Sequence, residues 1–295
     1  MSERRRIKLV AIDLDGTLLT SKRVISPLTV ETVSKVARQG IHIILVSARM
    51  LPSVLSFKNQ LNLQDPVIAY GGAVIKPNHA KPIWLGNIDP NIAIKTILFS
   101  KPYDVRLFTY VGNRWYVDNF GSEAEEESHA IGIAPIIVDD LQKVVNRGVT
   151  KFTIIGKSDF LVEIAECLSQ EFSRDICCIF SRPTDLEIFR KGTSKSKALA
   201  SVGNLLRIQP SEMMAIGDER NDIDMLKFAA TAIVMGNAPC EVKKIADFIA
   251  PSNDNDGVAF VLNHFFVNMS NSDKFADDRL TKIDREQKYS SVSKG

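Results

Sequence analysis

Ile7-Lys-Leu-Val-Ala-Ile-Asp-Leu-Asp-Gly-Thr-Leu-Leu19 is the stretch on which the reading of this chain turns. A mostly apolar run rich in β-branched residues goes straight into two aspartates one residue apart, then a glycine and a threonine. That reads as a buried strand ending in charged groups. In a parallel α/β sheet such groups gather at the carboxyl ends of the strands, so Asp13 and Asp15 are placed at the open crevice of the sheet. The side-chain period of two sends Asp13 and Asp15 to one side and Leu14 to the other. Two carboxylates on one side repel, and the pair therefore needs a metal ion, a shared proton or a nearby cation.

Outward from this strand the pattern repeats. Leu18 to Ile25 makes a small flap. A helix then opens with Ser26 as N-cap and Pro27 at its first position, carries the stripe Val30, Val33, Val36 and Ala37, and closes at Gly40. Ile41 to Val46 is the next strand, running into Ser47-Ala48-Arg49, with His42 expected to pack as a strand residue. A helix from Pro52 to Leu61 and a strand from Val67 to Tyr70 lead to Gly71-Gly72. Repeated βα units imply parallel strands with right-handed crossovers.

From about Pro77 the pattern changes. Val105 to Val111 and Arg114 to Val117 form a hairpin around Gly112-Asn113, preceded by a helix from Asn91 to Ser100. The acidic run Glu123 to Glu127 reads as the solvated face of a helix. A short apolar run at Ile136 to Val138 and a helix near Leu141 follow. Phe152 to Ile155, a helix from Phe160 to Phe172, and the strands Cys177 to Phe180 and Leu186 to Phe189 complete an α+β insert. Ser194 then caps a helix, and βα units resume through Met213 to Ile216, Ala232 to Met235 and Phe248 to Ala250, ending in a helix from Gly257 to Phe266. The expected fold is α/β: a Rossmann-like parallel sheet core with helices on both faces, from residues 1–80 and 189–268, with residues 81–188 inserted. Residues 269–295 lack an apolar stripe and read as a disordered tail.

Composition sets the bounds. With 295 residues, 45% of them hydrophobic and 24% charged, the chain can build one large or two modest cores. A formal net charge of +2 calls for neither nucleic acid nor an anionic membrane as partner, and Arg4-Arg5-Arg6 reads as a solvated fringe. Cys167, Cys177, Cys178 and Cys240 have no metal-ligand spacing, and adjacent Cys177 and Cys178 make a poor disulfide. They are expected to be reduced and mostly buried. No apolar run reaches membrane-spanning length, and the first strand begins too early for a signal peptide. A cytoplasmic location is expected, as monomer or homodimer.

Three further groups fall at element ends that face the same crevice. Ser47 follows the second strand and offers a hydroxyl and an amide to a phosphoryl oxygen. Lys195 stands in the first turn of a helix, where the dipole disfavours a cation by roughly 0.3–1 kcal/mol, so a bound negative group beside it is expected. In Gly217-Asp218-Glu-Arg-Asn221-Asp222 a strand ends in one carboxylate and a second follows within a helical turn. Hard oxygen ligands of this kind suit Mg²⁺.

Asp13-Leu-Asp15-Gly-Thr-Leu resembles the first motif of the haloacid dehalogenase superfamily of phosphotransferases, and Gly217 to Asp222 resembles its fourth. The likeness spans residues 7 to 266 and is nearest the Cof-like, sugar-phosphatase branch, which carries a large cap between its second and third motifs. Met235-Gly-Asn-Ala238 and Asn255-Asp-Gly-Val258 agree with it. The resemblance implies that Asp13 is the nucleophile and Asp15 the general acid and base. It further implies that Asp13, the Asp15 carbonyl, Asp218 and Asp222 serve Mg²⁺, while Ser47, Lys195 and Asn221 bind phosphate. Arg49, Gly71 and Gly72 would touch the cap or the substrate. Two departures stand out. Family members commonly have glycine where Ala48 stands and asparagine where Gly71 stands. The implied activity is Mg²⁺-dependent hydrolysis of a small phosphomonoester, such as a sugar phosphate, through an aspartyl phosphate. A phosphomutase and a silent phosphometabolite-binding regulator remain alternatives. Tyr110, Arg114 and Tyr116 on the hairpin are candidate leaving-group contacts.

Overall fold

The computed structural model describes residues 7–146 and 148–267. Arg4-Arg5-Arg6 and the expected tail at 269–295 lie outside the described residues. Strand β1 (Leu9–Asp13) is buried along its whole length. It lies inside an eight-stranded sheet with β2 (His42–Val46), β3 (Val67–Ala69), β4 (Val74–Lys76), β5 (Ile83–Trp84), β12 (Met213–Gly217), β13 (Thr231–Val234) and β14 (Phe248–Ile249). The order is β14-β13-β12-β1-β2-β3-β4-β5. Every pair from β14 to β3 is parallel; β4 and β5 turn back antiparallel.

The alternation seen in β1 decides how the layers form. Leu9 and Ala11 face one side, with Ile44, Val46, Met213 and Ala215, under helices α6 (Lys195–Leu206), α7 (Ile223–Phe228) and α8 (Cys240–Lys243). Val10 and Ile12 face the other, with Ile43, Leu45 and Ile216, under α1 (Pro27–Arg38), α2 (Leu51–Gln60) and α9 (Gly257–Leu262). A strand buried on both faces has no room for polar residues until it leaves the sheet, so its charged groups collect at its carboxyl end. Helix α1 starts as its sequence requires: the Ser26 hydroxyl accepts from the Thr29 amide, and Pro27 needs no partner for a missing N–H.

The insert is a second sheet, β10 (Ile176–Arg182), β11 (Asp185–Arg190), β9 (Lys151–Gly156), β6 (Val105–Val111), β7 (Arg114–Val117) and β8 (Ile136–Ile137), in that order. It is antiparallel except for β7 with β8. Helices α3 (Pro90–Ser100) and α5 (Ser158–Phe172) pack on one face through Ile97, Leu161, Ile164 and Leu168. The other face, with Phe108, Tyr110, Trp115 and Phe189, joins the core cluster together with α4 (Ser122–Ile131). There Tyr70 meets Tyr110 edge to face at 6.1 Å and donates to the Gly112 carbonyl at 2.6 Å. The insert thus sits over the carboxyl edge of the larger sheet.

Several expectations need correction. Strand β5 belongs to the larger sheet, although the sequence set 81–188 apart: Ile83 and Trp84 pair with β4, and the Leu85 amide reaches the Ala73 carbonyl at 2.9 Å. A two-residue strand carries too little pattern to assign. The smaller sheet in turn runs on to Arg190. The segment near Leu141 is a single 3-10 turn, Leu141–Lys143, rather than a helix. No described cysteine is buried: Cys167 and Cys240 are exposed, Cys177 and Cys178 half-buried, all four unpaired. His42 is also only partly covered, because its ring pairs with Asp65 at 2.7 Å at the opposite end of the strand from Ser47.

Candidate active site

Strand order reverses at β1: the chain lays down β2 and β3 on one side of it and returns to lay β12, β13 and β14 on the other. At such a switch point the loops leaving the strands diverge and open a crevice. Register fixes what stands there. Ile12 is level with Ile216, and Asp13 with Val46, so Asp13, Ser47 and the Gly217-Asp218 step form one row.

Asp13, Asp218 and Asp222 bring carboxylate oxygens within 4.8 Å of one another, the one such acidic group among the described residues. Lys195 lies between them, its Nζ donating to Asp13 Oδ1 at 2.7 Å and Asp222 Oδ1 at 2.6 Å, with Asn221 Oδ1 at 3.4 Å. All four charged side chains are nearly or fully buried. Where the helix dipole argument pointed to a bound negative group, the chain itself supplies this pair of carboxylates beside Lys195.

Each carboxylate has a distinct set of partners. Asp222 is fully enclosed, and its second oxygen accepts from the backbone amides of Asp218 and Glu219, both at 3.1 Å. It braces the loop and the lysine, and it leaves no lone oxygen facing the cavity. Asp218 accepts from the Thr17 hydroxyl at 2.8 Å and from Asn237 Nδ2 at 3.1 Å. Gly16 is required beside it: its φ is +76°, and a Cβ there would lie 2.1 Å from Asp218 Oδ2. Asp15, whose side chain is half-exposed, is gripped in a fork by Arg49, with Nε to Oδ2 at 2.7 Å and an Nη to Oδ1 at 2.6 Å. Arg49 also donates to the Ala130 carbonyl of α4, so it joins the core to the insert.

Three acids around one base cannot all ionise easily. Burial, with the Asp222 charge next, pushes the Asp13 carboxyl well above its usual range despite Lys195. Burial and Asp222 likewise push Asp218 up to about 7. Burial would lower the Lys195 ammonium, but the Asp13 and Asp222 charges outweigh it and hold it above its ordinary value. For Asp15 burial acts upward and the Arg49 hydrogen bonds win, so it sits below the usual carboxylate range. The surplus of acid over base, made of hard oxygen donors, fits a small divalent cation.

Over this cluster lies a cavity of about 410 Å³ lined by Asp13, Asp15, Ser47, Ala48, Arg49, Lys195, Asp218 and Asn221 from the core, and by α4, β9 and the β10–β11 turn from the insert. Gly71 and Gly72 do not line it. Gly71 lies under the insert, where a Cβ would be 3.0 Å from the Phe189 ring, and Gly72 lies against the Ser194 carbonyl at the start of α6. Of the hairpin guesses, Arg114 and Tyr116 do not reach the cavity, and Tyr110 stands buried behind its wall. Of the acidic run, Glu125 and Glu126 are exposed, as a solvated helix face requires, and Glu123, Glu126 and Glu127 also line the cavity. Asn237, within Met235-Gly-Asn-Ala238, donates to Asp218 and to the Gly16 carbonyl, a role that the sequence pattern does not show.

A sequence model of the haloacid dehalogenase-like hydrolase family matches residues 10–262. This chain belongs to that family. A relative from Haemophilus influenzae is 30% identical over 265 residues, covering 88% of this chain and 98% of its own. Phosphatase YwpJ of Bacillus subtilis is 29% identical over 287 residues, covering 88% and 99%. The crystal structure of a haloacid dehalogenase-like hydrolase from Bacteroides thetaiotaomicron superposes with a TM-score of 0.82 at 28% identity, over 88% of this chain and all of the other. Within the superfamily this hydrolase stands in the Cof-like branch, with its α+β insert as the cap. No helix among its described residues is long and apolar enough to cross a membrane.

Proposed function

We propose that this phosphoric monoester hydrolase releases phosphate from a small phosphorylated metabolite, such as a sugar phosphate, through an aspartyl phosphate on Asp13, with Mg²⁺ as cofactor and in the cytoplasm. The observation that carries the reading is the convergence of Asp13, Asp218 and Asp222 on Lys195 at the floor of a capped cavity.

The chain's own groups supply the chemistry. An Asp13 oxygen forms a bond to phosphorus as the ester bond to the leaving alcohol breaks, and Asp15 delivers the proton that the departing oxygen needs. Asp15 then takes a proton from the water that attacks the aspartyl phosphate, which frees Asp13 and phosphate. Lys195, Asn221 and the Ser47 hydroxyl offset charge on the equatorial oxygens, where a loose phosphoryl transition state needs it, whereas the Ser47 amide, expected to help, is committed to the Ile68 carbonyl at 3.0 Å. Asp15 is held ionised by Arg49 in this structure, so the incoming phosphoryl group has to compete for that guanidinium before the proton can be carried. Asp13 and Asp218 with the Asp15 carbonyl would hold the cation, and Asp222 would support it from behind. When bound, Mg²⁺ polarises a phosphoryl oxygen and neutralises the surplus of carboxylate charge.

A panel of phosphomonoesters incubated with the purified chain and Mg²⁺ tests the activity, read as inorganic phosphate. Release from at least some sugar phosphates is expected. Silence across the panel would leave a binding protein, and a phosphorylated isomer in place of free phosphate would mean a mutase.

The metal has its own test in stability. Asp218 is raised to about 7 from an ordinary carboxyl near 3.8, so the folded state binds the extra proton between those values. Without metal, stability therefore falls as pH rises through that window. The cation must displace that proton. At a hundredfold excess over Kd at pH 8, Mg²⁺ is expected to add about 2.7 kcal/mol, roughly 5 °C or more in Tm, and distinctly less at pH 5.5, where protons on Asp218 and Asp13 compete with it. Equal shifts at both pH values, by thermal unfolding, would mean that the cation displaces no proton from Asp13 or Asp218 and is held elsewhere.

A further inference from the structure

The cap side of the cavity is rich in charge, and most of that charge is already paired. Lys151 and Glu187 form an ion pair at 2.7 Å, with both side chains almost fully buried. The Lys151 ammonium also reaches the Ala48 carbonyl at 3.2 Å and lies over the Tyr110 ring at 4.9 Å. Arg182 lies 3.9 Å from Asp185 across the β10–β11 turn. Glu127 differs from these. Among the described residues no cation stands within ion-pairing distance of it, and its partner is the Tyr110 hydroxyl, which donates at 2.7 Å. Burial and the Glu127 charge hold the Tyr110 proton in place, so the phenol acts as a donor that fixes the carboxylate. The neighbouring Arg49 is already committed to Asp15 and the Ala130 carbonyl. Glu126, on the same turn of α4, adds a second carboxylate to the lining.

We infer that Glu127 determines specificity by accepting from the leaving-group half of the substrate, which therefore carries an ammonium or hydroxyl opposite it and no second anion. The substrate class is an amino-sugar or polyol monophosphate; phosphorylated sugar acids and bisphosphates are refused. The inference rests on the phosphatase reading. The physical basis is an asymmetry between the two ends of the cavity: the floor holds the cation site and Lys195 for the phosphoryl group, while the roof presents at Glu127 a carboxylate outside any ion pair, with Arg49 acting on it only at a distance and the lining Arg23 donating to the Glu126 carbonyl at 3.4 Å. A second anion brought there would be desolvated against like charge, whereas an ammonium gains a charge-assisted hydrogen bond.

The test uses the full chain with Mg²⁺ and compares kcat/KM for glucosamine 6-phosphate, glucose 6-phosphate, 6-phosphogluconate and p-nitrophenyl phosphate. The amino sugar is expected to exceed the neutral sugar by roughly tenfold, and the sugar acid to fall below it by roughly tenfold or more. In Glu127→Gln the ratio of amino to neutral sugar is expected to drop to about 1. A ratio taken on one preparation does not depend on how much of it is folded, and the wild-type ratios decide the matter even if the variant fails. A sugar acid hydrolysed as well as glucose 6-phosphate, or an amino preference that survives Glu127→Gln, would overturn the inference alone. Failure to hydrolyse p-nitrophenyl phosphate and all three sugars would overturn the phosphatase reading and this inference with it.

Discussion

Asp13→Asn is expected to cut phosphate release by on the order of 10⁴-fold or more and to leave the folded protein as stable as before, or slightly more so. The two halves of this expectation come from the same geometry. Asparagine keeps the shape of the side chain at the end of β1 and keeps an oxygen for the Lys195 ammonium, now 2.7 Å from Asp13 Oδ1. It cannot form an acyl phosphate that water then cleaves, so the covalent route closes. It also removes one of three carboxylates crowded within 4.8 Å, whose mutual repulsion burial strengthens. Lys195 retains Asp222 at 2.6 Å as a counter-ion. The measurement is a pair: phosphate release under saturating substrate, and Tm without metal. A variant that keeps more than about one hundredth of the activity would take the nucleophile's role from Asp13. A variant that unfolds would instead mean that the carboxylate is needed to hold β1 in place.

What was legible in the sequence followed from local rules. The period-two alternation of β1 set both faces of the sheet, Leu9 and Ala11 on one and Val10 and Ile12 on the other. Lys195 stood out because a cation in a first helical turn is disfavoured unless an anion lies beside it. The illegible part is tertiary. Glu123 and Glu125 to Glu127 share α4 with the buried Ala124 and Ile131 as on any surface helix, and nothing local separates a carboxylate facing water from one facing a cavity. That difference depends on where the insert lands on the core, which is set by contacts such as Tyr70 with Gly112 and Arg49 with Ala130, far apart in the chain. Tyr110 shows the same limit from the other side. Its alternation with Phe108 correctly turns it toward the core, but α4 covers that face, so it supports Glu127 instead of meeting substrate. Arg49 followed a recognisable motif, yet its fork onto Asp15 needs the two strand ends to be neighbours, which only the sheet order supplies.

Lys195→Met is expected to be the most destabilising single change at the site. Methionine fills the space of the lysine stem, so packing loss is small and the effect is electrostatic. Removing the ammonium leaves Asp13 and Asp222, at 5% and 0% exposure, without a cation between them. Breaking a buried pair from one side costs about 3–5 kcal/mol, roughly 10 °C in Tm for a chain of this size. The sign of the pH dependence follows from the proton. The variant can relieve the strain only by protonating a carboxyl in the folded state, so the deficit is expected to be largest at pH 8 and to shrink as pH falls toward 5. Urea unfolding at the two pH values, without metal, reads this directly. The double variant Asp13→Asn with Lys195→Met is expected to regain part of the loss, because a neutral amide no longer requires the ammonium, with a coupling of about 0.5–3 kcal/mol. A deficit below about 1 kcal/mol, the same at both pH values, would mean that water already neutralises the cluster. The two carboxylates would then be solvated more than their burial indicates, and Lys195 would serve phosphate alone.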